Sequence, residues 1–368
     1  MMSLPSTAVI TFRDVRHGPW NAHGFALTDL FAEAFGATTL RVADPATYSQ
    51  QVLASKGKRL DLVRRLPGRS TVRPQVSTLG PTDLLFVVAH DATDLDQLYV
   101  TEPDWLESTA TKVLVLIEVW ANDARRWPQS YARVLEHFDA VFCTLEEGIG
   151  ALEEASGVAV QVMAQAVDVL ATPFRAEPRL DVLTIGRRHP AQHRLIEAWA
   201  DEHNGWYHYD TLPAGAVNDV DLHRKVTAMM LSQSAVSICN FARFDDPARI
   251  GSTKGTGTRF FETLASGALI AGDLPTDDMF TAEFGGVEGI ASLPLACSHL
   301  DTDVIAELVA KGRDPRVRCG NRAHALASQD LAHRMRQILG HIGVAEPPLL
   351  TERFEALEAR RAELLSSV

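Results

Sequence analysis

Three short segments of the chain combine residue types able to handle a phosphate, a sugar hydroxyl or a proton. The first is KGTGTRFFETLASGALIAGD, residues 254–273. Gly255 and Gly257 let backbone N–H groups approach a ligand closely, and Thr256 or Thr258 can cap the helix that follows. On that helix Phe260, Phe261, Leu264 and Ala265 share one face, and Arg259, Glu262, Thr263 and Ser266 the other. A helix N-terminus behind such a loop favours an anion, to which Arg259 adds a full positive charge. Glu262 repels an anion but can accept hydrogen bonds from sugar hydroxyls one turn further in. A nucleotide meets both demands, with its diphosphate at the helix start and its ribose beside the carboxylate. The same residues also fit a plain surface Arg259–Glu262 ion pair, worth about 0.2–0.5 kcal/mol. The second segment is the turn Gly186-Arg187-Arg188 after an apolar run, whose two guanidiniums read either as solvated charges at a strand end or as a local source of positive charge for an anion. The third sets His90 at the end of an apolar run and His23 in an early loop, where an imidazole could orient or deprotonate a hydroxyl.

Alternating strands and helices must position these groups. TAVITF (7–12), TDLLFVVAH (82–90), TKVLVLIEVW (111–120), DAVFC (139–143) and VAVQVMA (158–164) read as strands buried on both faces. Helices are expected over 25–35 and near 128–137, and TLEE (144–147) matches a capping box opening a further one. After the proline-bearing segment 171–180 the alternation restarts. Strands are expected at 181–186, 206–209 and 235–241, helices at 191–203, 220–231, 302–311 and 321–339, and a charged helix at 351–366. The expectation is an α/β fold of two doubly wound Rossmann-like domains facing each other across a cleft. The N-terminal domain spans 1–170 and a linker 171–180. A nucleotide-sugar-binding domain takes 181–345, and 346–368 forms a terminal helix packing back on the N-terminal domain.

Length supports two cores rather than one in these 368 residues. A net charge of -12 argues against a nucleic-acid partner, because phosphate binding along a backbone needs a basic surface. Cys143, Cys239, Cys297 and Cys319 form no C-x-x-C pair, which argues against a zinc site or a disulfide framework and for a reducing compartment. With no signal-peptide profile and no run of about 20 apolar residues, a cytoplasmic location is expected.

RFFETLASGALIAGD (259–273) resembles the donor-site motif of GT-B glycosyltransferases, especially retaining family 4. It is closer to the divergent spore-maturation-type relatives, where an arginine stands three residues before the nucleotide-binding glutamate. DVLTIGRRHPAQHRLIEAW (181–199) is similar to the opening of that family's second domain. FDAVFCTLEEGIGALEEASGVAVQVMAQAVDVLATPF (138–174) is similar to the close of its first, and NRAHALASQDLAHRMRQIL (321–339) to its late helix. Together these cover somewhat more than half the chain.

The resemblance implies transfer of a sugar from a nucleotide diphosphate donor to an acceptor hydroxyl, retaining, without a metal or other cofactor. It assigns Arg187 to the diphosphate and Glu262 to the ribose, with Gly186, Arg188, Gly255, Thr256, Gly257, Thr258 and Arg259 around the donor. His90 and His23 fall on the acceptor side, so the candidate catalytic groups are His90, Arg187 and Glu262. Two positions depart from the pattern. Lys254 stands where family 4 often has a glutamate, and Gln192 where it usually has a lysine, so Arg188 or Arg194 would supply the second cation.

Alternative readings are a nucleotide-sugar 2-epimerase of similar fold and a non-catalytic two-lobed sugar-binding protein. Asp94-Leu95-Asp96 matches the D-x-D string of metal-dependent transferases but reads as solvated surface. The run 56–73 carries seven Lys or Arg against one Asp. It reads as a solvated loop or a pocket for an anionic acceptor, glycan or lipid-linked, with peripheral membrane contact as the alternative.

Overall fold

The computed structural model describes residues 4–14, 16, 18–42, 80–90, 92, 94–95, 98, 108–210 and 219–366. The basic run 56–73 lies outside them. The chain forms two compact units. The first comprises Met1–Met163 and Met335–Leu350, the second Ala164–Arg334 and Thr351–Val368.

In the first unit the apolar runs become strands β1 (Thr7–Thr11), β2 (Thr38–Arg41), β3 (Thr82–Ala89), β4 (Thr109–Leu116), β5 (Ala140–Cys143) and β6 (Val160–Val162). They pair in parallel in the order β2-β1-β3-β4-β5-β6. Leu84 to Ala89 are buried without interruption, as a central strand covered on both faces requires. The strand order reverses between β1 and β3, which is where open sheets of this kind bind ligands, beyond the carboxyl ends of the strands.

The second unit repeats the design with β7 (Leu180–Thr184), β8 (Tyr207–Tyr209), β9 (Ser234–Ile238), β10 (Leu269–Gly272) and β11 (Ile290–Ser292), in the parallel order β11-β10-β9-β7-β8. Its switch point falls between β7 and β9. Val182, Val236, Leu269 and Ala271 form the apolar centre with Ile196 and Trp199 from the helix Pro190–His203.

Several local expectations change for identifiable reasons. Thr144 does not cap the helix Glu146–Ser156, whose N-cap is Leu145, because its hydroxyl accepts the Glu118 amide at 2.9 Å. β4 stops at Leu116, and Glu118 turns into the left-handed region at φ 54. The single helix expected over 321–339 is two, Pro315–Ser328 and Leu331–Ile342. The break lies at the fully buried Asp330. Its carboxylate accepts the amides of Ala332 and Val169, both at 2.9 Å, and both Nε and Nη2 of Arg353.

The expected linker 171–180 lies within the second unit, and Arg318 Nε donates to the Arg175 carbonyl at 2.9 Å. The terminal helix Pro348–Ser366 has its first residues assigned to the first unit and Thr351 onward to the second. In the second, Arg353 pairs with Asp168 and Asp330.

Candidate active site

In the second unit the candidate groups collect at the carboxyl ends of β7, β9 and β10. Gly186 follows β7 with φ +84, a conformation that side-chain-bearing residues rarely adopt, and its amide donates to Asp210 Oδ1 at 3.0 Å. The chain thereby turns sharply into Arg187 and Arg188. Arg187 is half-exposed and pairs with Asp245, in the loop after β9, at 2.9 Å. Arg188 lies over the Tyr209 ring, 4.2 Å from its centroid.

The helix expected in the opening motif is present as Thr258–Ala265, and its apolar face is sealed. Phe260, Phe261, Leu264 and Ala265 are fully buried, with Phe280 and Phe284 against the phenylalanines. Its polar face is narrower than expected. Thr263 and Ser266 are also fully buried, and Thr263 Oγ1 donates to Ser237 Oγ of β9 at 3.3 Å. Only Arg259 and Glu262 remain partly exposed on that face, paired at 2.9 Å across one turn. The structure thus contains the ion pair that a plain surface helix would also make.

The preceding loop is tied down rather than loose. The Thr256 amide and hydroxyl both donate to Asp277 at 2.8 Å, so this threonine does not cap the helix. The same carboxylate accepts the Phe280 amide, capping the next helix. The Thr258 hydroxyl donates to Gln165 Oε1, and the Gly255 carbonyl accepts the Ala242 amide at 2.9 Å. Gly257 is therefore the N-cap, and no side chain closes the helix start. A Cβ added at Gly257 would make ordinary van der Waals contact with Ala242, at 3.6 Å.

Sequence reasoning missed the network that holds these strand ends together. Gln192, buried in the first turn of its helix, and Asn240, just past β9, exchange amide hydrogen bonds at 3.0 and 2.8 Å. Asn240 Oδ1 also accepts the Asp273 amide at 2.8 Å, and Gln192 Nε2 donates to the Leu293 carbonyl at 2.7 Å. One amide pair so joins the ends of four chain segments. Gln192 is therefore a structural clamp rather than a charged ligand contact. Lys254 pairs with Asp273 at 2.5 Å and lies 5.0 Å from the Phe241 ring centroid. The available signal was a polar residue ending each apolar run, Asn240 after SIC and Asp273 after IAG.

In the first unit His90 follows β3 at the switch point. Its ring occupies a slot left by Gly24, where a Cβ would come within 2.3 Å of the imidazole, and it lies 4.6 Å from the Phe25 ring. Its Nδ1 is buried with no hydrogen-bond partner among the described residues. Burial, with smaller contributions from His23, Arg16 and Arg13, holds its pKa well below the usual 6.5, so the ring is neutral near pH 7. His23 is thus brought close to His90.

Asp94, expected as solvated surface, is fully buried. Arg16 Nε and Nη2 donate to its Oδ1 at 2.8 and 2.7 Å, and the His90 amide donates to Oδ2 at 2.8 Å. It is no arm of an open D-x-D site. Among the described residues, no three His, Cys, Asp or Glu groups could together hold a metal ion, and no helix is long and apolar enough to cross a membrane. All four cysteines are free and buried, and burial pushes the Cys143 thiol up to about 11.

No family model matches the chain, and no curated protein sequence matches it. Solved structures do match in fold. HepE of Anabaena, solved in complex with UDP-glucose, is 12% identical with a TM-score of 0.50, over 92% of this chain and 99% of that one. TarM is 12% identical with a TM-score of 0.47, over 71% of this chain, which spans only 55% of TarM. The UDP-GlcNAc 2-epimerase of Methanocaldococcus jannaschii is 9% identical with a TM-score of 0.41, over 91% and 99% of the two chains. The HepE match, over nearly the whole of both chains, gives this chain the GT-B fold of glycosyltransferases. At that identity it speaks for the fold alone.

Proposed function

We propose that this protein transfers a sugar from a nucleotide diphosphate donor to an acceptor hydroxyl. The observation that carries this reading is the group at the carboxyl ends of the second unit's sheet. There the uncapped start of Thr258–Ala265, with Arg259 and Glu262 on its one open face, begins beside β9, while Arg187 leaves the neighbouring β7. In a GT-B fold, that combination suits a nucleoside diphosphate. Arg187 and Arg259 would face the phosphates, with Glu262 accepting hydrogen bonds from the ribose hydroxyls. Their present partners do not stand in the way. Exposed pairs such as Arg187–Asp245 are worth about 0–1 kcal/mol. A diphosphate offers a guanidinium two charges and several oxygens in place of one carboxylate.

On the acceptor side, His90 is neutral and fixed in place. It would orient the hydroxyl that attacks the sugar and draw on its proton. The leaving diphosphate would be stabilised by Arg187, Arg259 and the helix N-terminus without a metal ion, and the transfer would retain the anomeric configuration by attack of the hydroxyl on the face that the diphosphate leaves. HepE was solved with UDP-glucose, which supports a nucleotide hexose as the first donor to try.

A thermal-shift screen across nucleoside diphosphates tests the reading, because a ligand selective for the folded state raises Tm. A rise with one diphosphate, followed by acceptor-dependent release of that diphosphate from its sugar ester, is the expected result. Release of free sugar epimer without an acceptor would make the protein an epimerase, and no shift with any nucleotide would end the donor-site reading.

A further inference from the structure

The mechanism above needs an imidazole held still at the end of β3, where the His90 amide donates to the side chain of Asp94. This carboxylate is fully buried. It takes the first amide after the strand, that of His90, on one oxygen, and the Nε and Nη2 of Arg16 on the other. Arg16 belongs to the loop after β1, whose own amide donates to the Phe12 carbonyl at 2.9 Å. One side chain so ties the two loops that border the switch point.

We propose that Asp94 is the positioning residue for His90. It sets the backbone of the turn so that the ring drops into the Gly24 slot against Phe25. It also holds Arg16 by two hydrogen bonds, and so fixes the loop after β1 to the same turn. The chemistry explains the choice of residue. A carboxylate has lone pairs for both an amide and a guanidinium, whereas an asparagine could satisfy the amide but would set an NH2 or a lone neutral oxygen against the arginine. Burial of that charge is tolerable because it is paired and fully hydrogen-bonded.

This inference rests on the proposed role of His90 for its meaning, but not for its test. In the full-length protein with labelled histidine, the His90 imidazole proton should give a nuclear Overhauser contact to the Gly24 α-protons. Asp94→Ala should abolish that contact while the rest of the spectrum, and binding of a nucleoside diphosphate, persist. Asp94→Asn, which still offers an oxygen to the His90 amide, should keep it at reduced intensity. With sugar transfer as a second readout, Asp94→Ala should lower kcat about ten-fold or more with little change in donor KM, and Asp94→Asn should recover part of it. An unchanged His90–Gly24 contact in Asp94→Ala overturns the proposal. So does global unfolding of both variants, which would make Asp94 a residue of the fold alone. If the wild type shows the contact but transfers no sugar, the functional reading fails while the positioning of His90 by Asp94 stands or falls on the spectra.

Discussion

The two units finish their sheets in the same way and furnish them in opposite styles. In the first, the charge at the switch point is withdrawn from solvent. Asp94 is fully buried against Arg16, and His90 is neutral in a slot cut by Gly24. In the second, charges stand in partly exposed pairs: Arg187 with Asp245 and Arg259 with Glu262. A partly buried, neutral imidazole suits proton handling, which needs a defined geometry and pKa more than a strong field. Half-exposed cations with weak partners suit an incoming anion, which can displace those partners at small cost. The contrast is the one the proposed transfer calls for, with acceptor chemistry in one unit and donor binding in the other.

The contrast breaks most visibly at His90. His90→Ala should lower turnover by about 10²–10⁴ and leave nucleoside diphosphate affinity unchanged, measured by steady-state kinetics beside calorimetry. Loss of nucleotide binding in that variant would erase the division of labour. The reciprocal change is Glu262→Ala, which should weaken nucleotide binding about ten- to a hundred-fold, as loss of one or two hydrogen bonds to a charged group would. Its Tm without ligand should stay close to the wild type.

Between these effects and the smallest lies the clamp. Gln192→Ala strips Asn240 of its amide partner and leaves buried polar atoms unsatisfied, so unfolding free energy should fall by about 1–3 kcal/mol in denaturant titration. Donor affinity should fall with it if the clamp sets the spacing of Arg187 and the helix start.

A pH series sharpens the first unit. Because His90 titrates well below 6.5 in the folded state, the unfolded chain takes up its proton first as pH falls. The stabilisation is complete above about pH 6.5 and is lost progressively below it. His90→Gln should therefore lose less stability than the wild type on going from about pH 7 to about pH 5. An identical slope in both proteins would mean that His90 is hydrated. The smallest effect belongs to Asp245→Ala, which should change Tm little and tighten diphosphate binding slightly by freeing Arg187.

The parallel strands were legible because buried strands leave continuous apolar runs, and the helix Thr258–Ala265 because Phe260, Phe261, Leu264 and Ala265 fall at helical spacing. The site was legible only in its charged and glycine residues. Asp94 reads as surface in a string of polar residues, since nothing local announces that Arg16, far away in the chain, will meet it. Asn240 and Gln192 carry no charge and fit no motif, so their pairing is visible only once β7 and β9 lie side by side. Thr144 and Thr256 show the same limit in reverse. Each stands where a helix cap is expected, yet a distant amide or carboxylate claims its hydroxyl.

The central claim is that the second unit's strand ends hold a diphosphate. Isothermal titration of the preferred nucleoside diphosphate against its bare nucleoside tests it most directly, in the wild type and in a variant carrying both Arg187→Ala and Arg259→Ala. The account predicts that the diphosphate binds the wild type at least about ten-fold tighter than the nucleoside, and that the double variant loses most of this advantage while still binding the nucleoside. Equal affinity for the two ligands in the wild type, or an advantage untouched by removing both arginines, would contradict it.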